Sequence, residues 1–158
     1  MTYGQQTAYK SLEYKKTSHT SQQSGSTSFG TVTVIGSEIT YTPSENATQV
    51  VYEINFYGQR TDDIHNSAFI LEQNTGTWAE VNNQNARTSV NSGTGSQANR
   101  DTYHLRLVIP AWTGSRQLRL VLGTRVANNQ IILHQLTEWD GSTVSNQFAD
   151  TTLIVYSI

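Results

Sequence analysis

Apolar and polar positions alternate with a period of two through most of residues 31–157, the signature of strands that bury one face. The strongest run is QVVYEINFYG at 49–58. There Val50, Tyr52, Ile54 and Phe56 fall on one side and Val51, Glu53, Asn55 and Tyr57 on the other, so the first set is expected in the core. TVTVI (31–35) and SEITYTP (37–43) alternate likewise, interrupted at Gly36 by an expected bulge or kink and followed by a turn at PSEN (43–46). A short strand at 69–72 turns around Gly76 into a second at 78–81, with Trp78 packing at the base of the hairpin. QIILHQLTE (130–138) is a further strand with imperfect alternation. TTLIVYS (151–157) is the last, and its run of Leu153, Ile154 and Val155 predicts burial on both sides.

Residues 103–122, YHLRLVIPAWTGSRQLRLVL, carry Leu-Arg-Leu-Val twice, at 105–108 and 118–121. Pro110 cannot donate to a central ladder and should end the first copy, while Gly114 lets the connection turn. The two copies are either a hairpin or strands of opposite sheets. Residues 59–67, 82–102 and 139–147 read as polar loops. About eight to ten short strands at this spacing, without a convincing helix, predict an all-β chain: an antiparallel two-sheet jelly-roll sandwich over residues 31–158.

Composition supports that class. Charged residues make up 14% of the 158, whereas Ser, Thr, Asn and Gln supply about two-fifths, a usage suited to sheet surfaces and loops and not to helix surfaces. Residues 1–30 lack a sustained apolar period and contain SHTSQQSGSTS, so they read as an extended N-terminal arm. All three lysines, Lys10, Lys15 and Lys16, lie in it beside one acid, Glu13, while the rest holds seven arginines and eleven acids. The basic arm, with Tyr3, Tyr9 and Tyr14 interleaved among its lysines, is expected to anchor on an acidic protein surface. A net charge of −2 argues against nucleic acid as a partner, and no apolar run approaches the roughly 20 residues of a membrane helix.

Candidate chemistry is sparse. There is no cysteine, no Gly-x-Ser-x-Gly elbow and no phosphate-cradling loop, so neither a cofactor nor an enzymatic activity is expected. Asp62, Asp63 and His65 form the one local cluster of acid–base or metal-competent groups, at a spacing that matches no established ligand pattern. His104 and His134 fall within strands and read as ordinary sheet or subunit-contact residues. Asn46-Ala47-Thr48 matches a glycosylation acceptor, which without a secretory signal is coincidence. Trp112 and Trp139 sit where strands meet loops, as sugar-stacking rings, core lids or subunit contacts. Arg106 and Arg119 are candidates for pairing across an interface.

At TVTVIGSEITYTPSENATQVVYEINF and LVIPAWTGSRQLRLVLGTR the chain resembles small virion proteins of tailed phages of marine bacteria and cyanobacteria. The shared pattern is Gly-Ser-Glu-Ile-x-Tyr-x-Pro, then Ile-Pro-x-Trp-Thr-Gly-Ser with Leu-Arg-Leu, then a closing Leu-Ile-Val-Tyr-Ser-Ile, covering about residues 29–158. The resemblance implies a jelly roll of the capsid-decoration or tail-fibre-tip type, often a homotrimer, and carries over no catalytic residue. A fibre protein brings a long shaft before its tip. A short basic arm instead favours a cement or knob-like decoration protein fixed on a larger virion protein such as the major capsid protein. The alternative is a tail-fibre or receptor-binding module that recognises a host surface glycan through Trp112, Trp139 and the loops 82–102 and 139–148.

Overall fold

The computed structural model describes residues 11–27, 31–60, 65–73, 76–81, 83–91, 99–124, 129–137 and 143–158. Its strands are β1 (Ser11–Thr17), β2 (Gln23–Thr27), β3 (Thr31–Thr33), β4 (Ile39–Tyr41), β5 (Gln49–Arg60), β6 (His65–Gln73) and β7 (Ala79–Glu80). A single 3-10 turn at Gln84–Ala86 precedes β8 (Arg87–Asn91), β9 (Asn99–Pro110), β10 (Arg116–Thr124), β11 (Asn129–Leu133), β12 (Gln135–Thr137), β13 (Thr143–Phe148) and β14 (Thr151–Ser157).

Two antiparallel sheets stack on one another, each with a long central pair. In the first, β9 covers one flank of β5 from Gln49 to Arg60, while β14 and then β11 share the other flank. Strand β1 adds outside β14, and β2 outside β11. In the second sheet β6 covers one flank of β10 while β3 and β4 share the other, and β7 and β8 lie along the far side of β6. Counting each shared flank as one position in chain order gives eight positions, ordered 1-8-3-6 in the first sheet and 2-7-4-5 in the second. That is the jelly-roll arrangement of two interlocked Greek keys. The β12–β13 hairpin is an excursion from the last position, between β11 and β14.

The inward side chains follow from strand parity. Val50, Tyr52, Ile54 and Phe56 are all buried, as the alternation predicts, beside Leu107 and Ile109 of β9 and Leu153 and Val155 of β14. Leu118, Leu120 and Leu122 of β10, with Ala68 and Ile70 of β6, close the core from the other sheet. Burying each large apolar side chain in this set contributes about 2 kcal/mol relative to leaving it in water. The two Leu-Arg-Leu-Val copies therefore do not form a hairpin. Residues 111–115 carry the chain from one sheet to the other, with Gly114 at φ +83° and the Ala111 amide donating to the Thr48 carbonyl at 3.1 Å.

Several expectations change. The boundary expected at residue 30 does not divide the fold, because β1 and β2 fill the edge of the first sheet. Ser/Thr-rich segments can do this because a ladder is made by backbone groups, and an edge strand need present little apolar surface. The loop expected at 59–67 is shortened from both ends by β5 and β6, and the one at 82–102 contains the 3-10 turn, β8 and the start of β9. The expected strand at 130–138 breaks at His134, whose φ of +73° stops β11, and β13 takes up the second half of the expected loop at 139–147 and extends one residue beyond it. Gly36 is a kink, at φ +88°.

Candidate functional surfaces

Strand β1 meets the body at many points. Seven residue pairs join it to β14. The Lys15 ammonium donates to the Glu38 carbonyl at 2.8 Å, Lys16 pairs with Asp150 at 2.7 Å, and the Tyr41 hydroxyl donates to the Ser11 carbonyl at 2.9 Å. Hydrogen bonds from Lys16 and Ser18 hold the Asp150 carboxyl below its usual range. Two of the expected anchoring lysines are thus engaged by the protein's own body. Tyr14 is not drawn in: it is 58% exposed, and Leu12, two residues earlier on the same side of the strand, is 52% exposed. Tyr3, Tyr9 and Lys10 lie outside the described residues.

That side of β1 continues across the first sheet. In register, Leu12 is followed by Tyr156, Val51 and Val108, and Tyr14 by Ile154, Glu53 and Arg106. Arg106 Nε donates to Glu53 Oε1 at 3.0 Å, and the Tyr156 hydroxyl donates to the same oxygen at 2.9 Å. His104 pairs with Asn55 one row further on. Arg106 is therefore engaged within its own sheet. Because this ion pair is mostly solvated, it contributes about 1 kcal/mol or less.

The second sheet holds three further arginines over aromatic rings. Arg119 lies 4.0 Å from the Trp78 ring centroid, Arg87 lies 5.2 Å from that of Phe69, and Arg116 lies 5.3 Å from that of Trp112. Arg116 also pairs with Glu72 at 2.7 Å. The Trp112 ring packs against the core and meets Tyr41 edge-on, with 6.2 Å between ring centroids. Of the roles open to Trp112, the packing is that of a lid. Beside it lies an open depression of about 350 Å³ lined by Thr40, Gln73, Gly76, Ser115, Arg116 and Gln117. Trp139, Asp62 and Asp63 lie outside the described residues, as does the side chain of His65. Among the described residues no three metal-competent side chains come together, and no helix is long and apolar enough to cross a membrane.

A further polar cluster joins residues that the sequence keeps far apart. His19, in the turn between β1 and β2, stacks on His134 with ring centroids 3.6 Å apart and planes 6° from parallel. His134 is fully buried. Its amide donates to the Tyr57 carbonyl at 2.9 Å, and its carbonyl accepts from the Ala149 amide at 2.7 Å, which closes the β12–β13 excursion. Thr151 Oγ1 lies 2.9 Å from His19 Nε2 and 3.4 Å from His134 Nδ1, and His134 Nε2 lies 3.3 Å from Gln23 Oε1. Burial, and then the neighbouring His19 ring, push the His134 imidazole down to about 4. Burial lowers His19 as well, against the opposing charge of Asp150. Sequence reasoning treated His134 as an ordinary strand residue and passed over His19 within a low-complexity run. The imperfect alternation around His134 was the one local signal.

No protein-family model matches the chain, and no curated protein sequence matches it. Among solved structures it is similar to that of infectious bursal disease virus Gt strain, at a TM-score of 0.47 and 13% identity, over 93% of this chain and 37% of that one. It is likewise similar to a mutant VP2 protein of infectious bursal disease virus from derived T=1 particles, at a TM-score of 0.46 and 13% identity, over 93% of this chain and 36% of that one. The chain thus spans little more than a third of the length of these virus proteins.

Proposed function

We propose that the chain is a structural protein of a phage virion: a homotrimeric decoration protein seated on the capsid surface through the outward side of β1 and residues 1–10. The observation that carries this reading is the pair Leu12 and Tyr14, both more than half exposed on a strand otherwise tied to the body by a full ladder and two lysine contacts. Large apolar side chains held rigidly at a sheet edge bind a partner at low entropic cost, as interface anchors do. The jelly-roll architecture and the sequence resemblance to small phage virion proteins support the same reading. The test is particle incorporation of a Leu12→Ser, Tyr14→Ser double variant, whose exposed positions leave the fold intact. Loss of the chain from purified particles, with unchanged circular dichroism, is expected; wild-type incorporation would refute the docking side. Light scattering on the isolated protein checks the trimer.

A second reading, a tail-located module that binds a host glycan, has one observation in its favour. The depression beside Trp112 is lined by Gln73, Gln117, Thr40, Ser115 and Arg116, residue types whose side chains offer donors and acceptors suited to sugar hydroxyls. A glycan array on the wild-type protein and on Gln117→Ala decides it. Binding that disappears with the substitution favours this reading, and an array without binding removes it.

A further inference from the structure

The His19–His134 stack lies where two neighbouring strand positions break side by side. Position 1 is split into β1 and β2 around residues 18–22, and position 8 into β11 and β14 around the β12–β13 excursion. His19 comes from the first break and His134 from the second, so the stack ties the N-terminal segment to the rest of the sandwich at a point where no backbone ladder does.

The hydrogen-bond pattern around the rings fixes where protons sit. Gln23 Nε2 donates to the Thr33 carbonyl, and Gln23 Oε1 accepts from the Ile35 amide at 3.0 Å, so this oxygen faces His134 Nε2 as an acceptor. His134 therefore carries its proton on Nε2, leaving Nδ1 to accept from the Thr151 hydroxyl. The Thr151 oxygen in turn accepts from His19 Nε2. Every position in this relay is filled while both rings are neutral. A proton added at His134 Nδ1 takes away the acceptor of the Thr151 hydroxyl, and protonating both rings sets two cations 3.6 Å apart. Among the described residues, the charged groups around the pair are Asp150, which faces His19, and Lys16, which Asp150 already binds; neither neutralises a charge on the buried His134.

We propose that the stacked His19–His134 pair is an acid-sensitive latch that holds β1 and β2 on the sandwich and releases them when the rings gain a proton. The ligand-free chain suffices for this device, whatever the outward side of β1 docks to. Release exposes His134 to water, where its affinity for protons returns to the ordinary value. Opening of the segment should then grow on the order of 50- to 100-fold between about pH 7.5 and about pH 4.5.

The test is amide hydrogen exchange on the full chain, expressed as protection factors at the two pH values. The amides of β1 and β2 should lose protection by that factor while those of β5 and β9 keep theirs. His134→Asn suits the left-handed backbone and does not titrate, so it should keep β1 and β2 protected in acid. Imidazole nitrogen shifts of the wild-type protein, which need no variant, should show the rings gaining their protons over the pH range in which protection falls. Protected β1 and β2 in acid, equal loss in β5 and β9, or rings that titrate while the segment stays protected would each overturn the latch. So would an unchanged acid response in a folded His134→Asn.

Discussion

Gly36 is the position at which a single methyl group should do the most harm for its size. It lies between β3 and β4 at φ +88°, where an L side chain costs about 1–2 kcal/mol from backbone crowding alone. A Cβ at this position would also lie 2.9 Å from Thr17 Cβ, 3.0 Å from Thr17 Oγ1 and 3.0 Å from Thr151 Cβ. Those atoms belong to directly paired residues of β1 and β14, so neither can yield without disturbing the ladder that seats the N-terminal strand. Overpacking against such fixed neighbours adds about 1–3 kcal/mol. Gly36→Ala should therefore destabilise by about 2–5 kcal/mol. Gly114 and Gly76 supply the control: both have positive φ, at +83° and +91°, but an added Cβ would meet nothing within 4 Å at either. Gly114→Ala and Gly76→Ala should show the backbone cost alone, about 1–2 kcal/mol. Urea unfolding of the three variants, compared through midpoints at an unchanged slope, separates the two contributions. If Gly36→Ala unfolds within about 0.5 kcal/mol of the two controls, the close packing of the 34–38 connection on Thr17 and Thr151 is refuted, because only that contact distinguishes the sites.

Deleting residues 1–27 removes β1 and β2 and should leave a sandwich that still unfolds cooperatively but at a lower midpoint, since no described residue of those strands belongs to the core, whereas deleting residues 2–10 should leave the midpoint unchanged; circular dichroism melts distinguish the two. Trp112→Ala should cost about 2–4 kcal/mol through lost packing on the core and on Tyr41, seen as a lower urea midpoint. Arg106→Ala should cost less than about 1 kcal/mol in the same assay, since Tyr156 still donates to Glu53. The His134 ring is bound less tightly by protons in the folded state than its ordinary value of 6.5. The unfolded chain therefore takes up the proton first: this contribution is complete above about pH 6.5 and falls away toward about pH 4. About 3 kcal/mol should be lost over that window, measured by urea unfolding at stepped pH.

The centre of each sheet could be read from the sequence because burial there is one-sided and dense. Val50, Tyr52, Ile54 and Phe56 announce β5, and the two Leu-Arg-Leu-Val copies announce β9 and β10. Only the partners of β9 and β10 stayed open, since alternation specifies which face is apolar but not which sheet receives it. Strands β1, β2, β8 and β13 escaped notice for the opposite reason. They lie at sheet margins or in the excursion, where backbone pairing suffices and Ser, Thr, Asn and Gln serve as well as apolar residues. The basic composition of residues 1–30 pointed to an arm, yet Lys15 and Lys16 spend their charge on Glu38 and Asp150 of the same chain. Charge counting reports what a segment carries. It cannot report which oxygen each ammonium reaches.

The histidine pair illustrates why the remaining site features were beyond pattern reading. His19 and His134 are separated by most of the chain and meet because positions 1 and 8 are neighbours in the sheet and both break at one level. A break in one of two adjacent strands would leave the facing segment with unpaired backbone groups. Breaking both together confines that cost to one spot, where side chains can meet it. At that spot the His134 amide and carbonyl bond to the backbone of Tyr57 and Ala149, and Thr151, Gln23 and the two imidazoles satisfy one another as neutral donors and acceptors, an arrangement that holds only while the rings stay uncharged. The arrangement that fills the break is thereby responsive to acid. It also sets the boundary of what can respond, because Ser11–Thr17 and Gln23–Thr27 are the two segments whose connection runs through the stack. Strand β1 presents Leu12 and Tyr14 outward, so the element offering a docking side is the one whose attachment depends on the relay.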